Sequence, residues 1–282
     1  MNPKSKLRLL ITGGSSYLGQ SLVPLATAVH DTRYTYFHHD PLAAGQGERV
    51  DLRDGTAVHH LVTTCQPDVI IHTAGSNRGE DMEAVIRLGA RHITQAAQAV
   101  NARLIHLSTD VVFRGDAPPY AETAVPTPIN AYGRAKADAE RIVQSHPNHV
   151  IVRTSLIYGL ESMDHSTAWA AGALRARQPV TLFNDQIRNP VWVETLSSAC
   201  LELAQHSFTG ILHVAGRQVM SRAEFGLKLL DYWGIQERDS LTIGPTNSNT
   251  WSLNCELDLR LATAVLQTPL YGVDEVLGMA DR

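Results

Sequence analysis

From Leu7 to about Val152, short apolar runs alternate with longer segments whose apolar positions recur at helical spacing. The runs "LRLLIT", "RYTYFH", "DVIIHTAG", "RLIHLSTD" and "HVIVRTS" read as strands, with helices expected from Tyr17, near 56–65, near 82–100 and from Tyr132. Short apolar runs suit strands buried on both faces, and their alternation with helices predicts βαβ units. The expected architecture is therefore α/β, a doubly wound parallel sheet of the Rossmann kind. Ligands of such sheets sit beyond the carboxyl ends of the strands, which makes the residues after each run the candidates for function.

Past Val152 the regularity loosens. A helix near 165–177, a strand "VTLF", a helix from about Val193 to His206, a strand "GILHVA" and a helix from Ser221 to Trp233 are followed by a looser tail. This predicts a dinucleotide-binding domain over 1–160, its sheet completed by segments near 189–215. A smaller substrate-binding lobe is expected over most of 161–282. The segment "RGDAPPYAETAVPTPINA" holds four of the 13 prolines and reads as a long loop, a candidate lid or binding loop.

Composition narrows the class. With 282 residues, 44% hydrophobic and 18% charged, the chain can bury a sizeable core. The net charge of −4 is spread without long runs, so nucleic acid is not an expected partner. Cys65, Cys200 and Cys255 are too few and too scattered for a disulfide framework and suit a reducing interior. The N-terminal apolar run is short and leads directly into a glycine turn, and no stretch approaches the ~18 apolar residues of a membrane span. A cytoplasmic protein with no membrane partner is expected. The histidine pairs His38/His39 and His59/His60 lack a matching carboxylate pattern, so no metal is expected.

Two stretches carry chemistry. In "TGGSSYLG", Gly13 and Gly19 bracket a strand-to-helix turn, where backbone N–H groups and the positive helix end can meet a pyrophosphate. Ser16 stands where the fingerprint would have its middle glycine and offers a hydroxyl instead. At the end of the second strand, "YTYFHHDP", Asp40 has the spacing of a ribose-binding acid. His38 precedes it where a 2′-phosphate would lie, so the two residues point to opposite cofactors. A strand ending near Phe37 favours the histidine, and hence NADP slightly over NAD. Asp51 and Leu52 offer a seat for the adenine, with a helix cap by Asp51 or Asp54 as the structural alternative.

The second stretch is "INAYGRAKADAE", where Tyr132 precedes Lys136 by one helical turn. A phenol with a pKa near ~10 is a poor acid alone, but a neighbouring ammonium stabilises the phenolate and can also hold a ribose hydroxyl. The tyrosine can then protonate a carbonyl oxygen as hydride reaches its carbon. Ser108 and Thr109 end a strand and offer hydroxyls for the substrate oxygen, or for a turn.

Together "TGGSSYLG", "DLRD", "QPDVIIHTAG", "HLSTDVVFRG", "PINAYGRAK" and "IVRTSLIYG" resemble the extended short-chain dehydrogenase/reductase family, in its dTDP-4-dehydrorhamnose reductase branch. The resemblance implies Thr109, Tyr132 and Lys136 as hydroxyl, acid and anchor. It also implies a cofactor lined by Gly13, Ser16, Tyr17, Leu18, Gly19, Ala74, Gly75 and Ser155. Thr109, Asp110 and Val111 would face the substrate. The implied reaction is NAD(P)H-dependent reduction of the 4-keto group of a nucleotide-linked deoxysugar, with a homodimer as a possible assembly. Arg188 and Arg217 are candidates for the nucleotide diphosphate, because guanidinium forks match phosphate oxygens. Substrate-side departures exist: Ile86 replaces a common asparagine, "DQIRNPVWV" lacks G-x-P-T, and "TWSLNCELD" lacks a preceding Arg-Pro. The same residues serve two alternatives, a sugar-nucleotide epimerase or dehydratase and a non-catalytic subunit similar to the regulatory subunit of methionine adenosyltransferase.

Overall fold

The computed structural model describes residues 6–43, 45–75 and 79–280. The first half runs β1 (Arg8–Thr12), α1 (Tyr17–Val29), β2 (Asp31–Tyr36), β3 (Gly47–Arg49), α2 (Gly55–Cys65), β4 (Val69–His72), α3 (Met82–Val100), β5 (Arg103–Thr109), α4 (Ala131–Val143) and β6 (His149–Thr154). It continues through β7 (Ile157–Tyr158), α5 (His165–Arg175), β8 (Val180–Phe183), β9 (Ile187–Arg188), β10 (Val191–Trp192), α6 (Val193–Gln205), β11 (Gly210–His213), β12 (Met220–Ser221), α7 (Arg222–Tyr232), β13 (Leu241–Gly244), α8 (Arg260–Val265) and α9 (Val273–Ala280).

Seven strands form one parallel sheet in the order β11-β6-β5-β4-β1-β2-β3. The order reverses beside β1, which opens the crevice where doubly wound sheets bind ligands. One sheet face carries Leu9, Ile11, Ile71, Ile105 and Val152, packed with apolar side chains of α1 and α6. The other carries Leu10, Ile70, Leu104 and Ile151, packed with those of α2, α3 and α4. Alternate side chains point to opposite faces, so runs such as "VIIH" are apolar at nearly every position. Fully burying one of these aliphatic side chains contributes roughly 1.5–3 kcal/mol.

The chain beyond β6 divides its work between the sheet and a smaller lobe. β11 joins the sheet edge beside β6, and α6 packs on α1. Meanwhile α5, α7, β8 and β13 enclose a separate apolar cluster that includes Ala171, Leu174, Val180 and Leu230. The β8–β13 pair is parallel, and β7 pairs with β10. No helix among the described residues is long and apolar enough to cross a membrane.

The proline-rich segment, expected to be a loop, is organised around Tyr120. The Tyr120 hydroxyl accepts from the N–H groups of Gly115, Asp116 and Ala117 at 3.0, 2.9 and 3.0 Å. Its ring stacks on Phe113 at 4.1 Å. These donors belong to the loop itself, so the hydroxyl fixes its turn, while the ring on the buried Phe113 and the Tyr120 N–H donated to the Glu256 carbonyl at 2.9 Å tie it to the body.

Candidate active site

A cleft of about 1290 Å³ runs from the carboxyl ends of β1, β2, β4, β5 and β6 to the inner face of the lobe. Its sheet end begins at the β1–α1 turn. Gly13 adopts φ +85°, and a Cβ there would lie 2.8 Å from the backbone of Ala74. A Cβ on Gly19 would lie 2.2 Å from the Gly13 carbonyl oxygen, so the helix can tuck under the turn only with glycine. Ser16 caps α1, accepting from the Gly19 N–H at 3.0 Å. Ser16, Tyr17 and Leu18 line the cleft beside Gly13; Gly19 supports the turn from behind. Glycine at the turn and free N–H groups at a helix start fit a pyrophosphate.

Val50, Asp51 and Leu52 line the next stretch. Asp54, not Asp51, caps α2, accepting from Thr56 and Ala57 at 2.9 and 3.1 Å. The Asp51 carboxylate is held by the Arg53 guanidinium, which lowers its pKa. At the end of β2 the cleft meets Thr35, Tyr36 and Phe37. Neither residue weighed for the ribose lies on its wall. His38 is exposed with its ring against Phe37, 4.2 Å between centroids, and Asp40 accepts from the Tyr34 hydroxyl at 2.9 Å. The strand ends at Tyr36, one residue earlier than expected, and the turn carries both side chains away.

Thr109, Asp110, Val111, Tyr132, Lys136 and Ser155 line the middle of the cleft, with Ala74 and Gly75 opposite. Gly133 allows this convergence. A Cβ there would lie 2.4 Å from the Val111 carbonyl oxygen, so any larger residue would push the start of α4 away from the end of β5. Asn130 caps α4 by accepting from the Gly133 N–H at 2.8 Å. Asp110 is buried and accepts from Ser155 Oγ at 2.6 Å and from Thr109 Oγ1 at 3.2 Å.

The electrostatics correct one expectation. Lys136 Nζ donates to the Leu107 carbonyl at 2.6 Å, and burial brings its pKa down to about 8. Tyr132 is pushed up to about 12, first by burial and then by the Asp110 carboxylate, with the Thr109 hydroxyl acting the other way. The lysine does not hold the phenol at a depressed pKa here, because its ammonium is turned to the strand carbonyl. Tyr132 therefore keeps its proton at neutral pH, as a proton donor must. Ile86 packs against Gly75, where its Cγ1 would lie 3.3 Å from an added Cβ.

The two arginines expected at a diphosphate part company. Arg188 lines the cleft but is buried and engaged by backbone carbonyls. Arg217 lies outside it, exposed and paired with Glu275, because the connection between β11 and β12 that carries it turns towards α9. The sequence reading missed Arg222, Trp169 and Trp251, which line the lobe end of the cleft. In "MSRAEF" the arginine looks like the start of a capped helix, which it also is. Nothing in its spacing marks it as a cleft residue. Among the described residues no group of three or more His, Cys, Asp or Glu side chains gathers as a metal site would require.

Residues 7–256 match the RmlD substrate binding domain family. The chain belongs to that family. Within reach of this RmlD-family chain is the dTDP-4-keto-6-deoxy-D-glucose reductase of Streptomyces niveus, 32% identical over 73% of this chain and 72% of the relative. The methionine adenosyltransferase 2 subunit beta of Rattus norvegicus is 28% identical over 88% of this chain and 80% of the relative. Among solved structures, the dTDP-4-dehydrorhamnose reductase of Bacillus anthracis in complex with NADP superposes with a TM-score of 0.78. It is 27% identical, and the match covers 98% of each chain.

Proposed function

We propose that this RmlD-family protein, an NAD(P)-dependent oxidoreductase, reduces the 4-keto group of a nucleotide-linked deoxysugar. The observation that carries the reading is the convergence of Thr109, Tyr132 and Lys136 in one cleft, between a glycine turn and a lobe. The cradle fits a dinucleotide on its own geometry: a positive-φ glycine, a close-approach glycine and a capped helix start stand in line. Gly13, Ser16, Tyr17 and Leu18 would hold the pyrophosphate, Asp51 and Leu52 the adenine, and Ala74, Gly75, Lys136 and Ser155 the nicotinamide half. A bound nicotinamide cofactor supplies the hydride. Thr109 orients the substrate carbonyl, and Tyr132 delivers its phenolic proton to the carbonyl oxygen as negative charge develops there. Desolvation inside the cleft strengthens both contacts.

NADPH is the proposed partner in preference to NADH. Asp40, the acid with ribose spacing at the end of β2, is turned to Tyr34 and does not line the cleft. Arg53 lies over the Phe37 ring at 5.6 Å, and Arg49 Nε donates to the Phe37 carbonyl at 2.9 Å. Arg53 is shared by Asp51 and Asp81, which leaves Arg49 as the cation at this end that would meet a 2′-phosphate. Equal affinity for the two cofactors would defeat this preference.

The deciding assay follows oxidation of NADPH and NADH by the purified protein with a panel of nucleotide 4-keto-6-deoxysugars. Turnover in the wild type, lost in Tyr132→Phe with cofactor affinity retained, is expected; a variant with normal turnover removes Tyr132 as the acid. A second reading, a non-catalytic partner subunit, draws on the similarity to methionine adenosyltransferase 2 subunit beta. Absence of turnover together with a stable complex with a methionine adenosyltransferase catalytic subunit would favour it.

A further inference from the structure

Arg188 and Arg222 both line the cleft, and their nitrogens are used differently. Arg188 is spent. Its Nη1 donates to the carbonyls of Ile187 and Leu253 at 2.7 and 2.8 Å, its Nη2 to Ser252 at 2.8 Å, and its Nε stands 3.5 Å from Asp110. Arg222 makes one side-chain bond, from Nη1 to Oε1 of the fully buried Gln186 at 3.0 Å. Among the described residues no carboxylate pairs with it. None of its remaining nitrogens is among the buried polar atoms without a partner, and the residue itself lines the cleft. Burial, followed by the neighbouring Arg188 charge, disfavours its cationic form, while Asp110 and Asp164 offset this from a distance.

A half-buried guanidinium that is fixed by one amide and lacks a counter-ion is costly in the free protein and gains most from an arriving anion. Phe225 and Leu230 on the same helix and Trp169 on α5 add apolar wall, which weakens screening by water. The geometry points to Arg222 as the receptor for an anionic group on the substrate, a phosphate of the nucleotide or a carboxylate on the sugar. The inference rests on the nucleotide-sugar reading for the substrate's identity, though anion binding is measurable without turnover.

Calorimetry of the whole protein with UDP, UDP-glucose and UDP-glucuronate, for the wild type, Arg222→Gln and Arg222→Lys, tests this. Loss of one charge-assisted contact weakens binding about tenfold to a hundredfold in Arg222→Gln, with a smaller loss in Arg222→Lys. NADPH affinity, unchanged in both, reports an intact fold. A loss for UDP itself assigns the phosphate. A loss confined to the preference for UDP-glucuronate over UDP-glucose assigns the carboxylate. Unchanged affinities for all three ligands, or no binding of any by the wild type, overturns the inference. Nucleotide binding that falls in Arg222→Gln, in a protein that reduces no ketosugar, keeps the anion receptor and refutes only the proposed reaction.

Discussion

Lowering the pH from 7 to 5 should destabilise this protein through two imidazoles beneath the active site, and His106→Leu should remove half of that loss. His72 and His106 are register neighbours on β4 and β5, fully buried with ring centroids 5.1 Å apart. His72 Nδ1 shares a 2.6 Å hydrogen bond with Thr12 Oγ1, but neither nitrogen of His106 has a partner. Burial, reinforced by the Lys136 charge, lowers His72 to about 3 and holds His106 well below 6.5. In the unfolded chain both imidazoles take up protons as the pH falls through ~6.5, while the folded protein keeps them neutral. Stability is therefore lost as the pH drops below ~6.5, and the loss continues until each folded-state pKa is reached. For one such group the linkage between pH 7 and 5 amounts to about 2 kcal/mol, and for the pair about 4 kcal/mol. Leucine at 106 orphans no polar atom, because the imidazole has no hydrogen bond to lose. Urea unfolding followed by tryptophan fluorescence at both pH values gives each protein's loss, and contributions from unrelated carboxylates cancel in the comparison. The loss should be smaller in His106→Leu by about 2 kcal/mol. Equal losses in the two proteins would refute the claim that His106 stays neutral when folded.

Lys136, brought down to about 8 by burial, is an ammonium below that pH and loses its proton as the pH rises through it. NADPH affinity measured by fluorescence should fall above pH 8 in the wild type and lose this pH dependence in Lys136→Gln; a flat wild-type profile from pH 7 to 9.5 would contradict the ribose contact. Glu140 and Arg153 form a buried pair, 2.8 Å apart, that also receives Ser108 Oγ. Glu140→Ala leaves the guanidinium without its carboxylate and should cost about 3–5 kcal/mol in chemical denaturation; a change below ~1 kcal/mol would show that the site relaxes or admits water. Gly19→Ala should sharply weaken cofactor binding, because its Cβ would meet the Gly13 carbonyl oxygen; unchanged affinity would mean the turn tolerates displacement. Arg217→Ala should leave substrate KM unaltered, since Arg217 pairs with Glu275 outside the cleft, and a large rise in KM would return it to the site.

Local pattern alone determined the parallel sheet, the order of strands β1, β2, β4, β5 and β6 with the four helices between them, the glycine turn and the Tyr132–Lys136 helix. These features are legible because each follows from a short-range rule: apolar runs for buried strands, glycine where backbone must approach backbone, one helical turn between partners. The short strands β3, β7, β9, β10, β12 and β13 were not legible, because two to four residues carry no periodicity and exist only through the neighbour they pair with. The same limit governed charged side chains. Arg188, Arg217 and Arg222 look alike in sequence, yet the first is consumed by carbonyls brought in from 252–253, the second is turned away to α9 and the third faces the cleft. His38 and Asp40 have suitable spacing for a ribose contact, but one residue of strand length and one bond from Tyr34 turn both aside. Tyr132 and Lys136 were correctly brought together by the helix, while the direction of the lysine was decided by the strand carbonyl at Leu107. Backbone periodicity is written locally. The aim and protonation of a charged side chain depend on burial and on partners far away in sequence, and those exist only once the chain has folded.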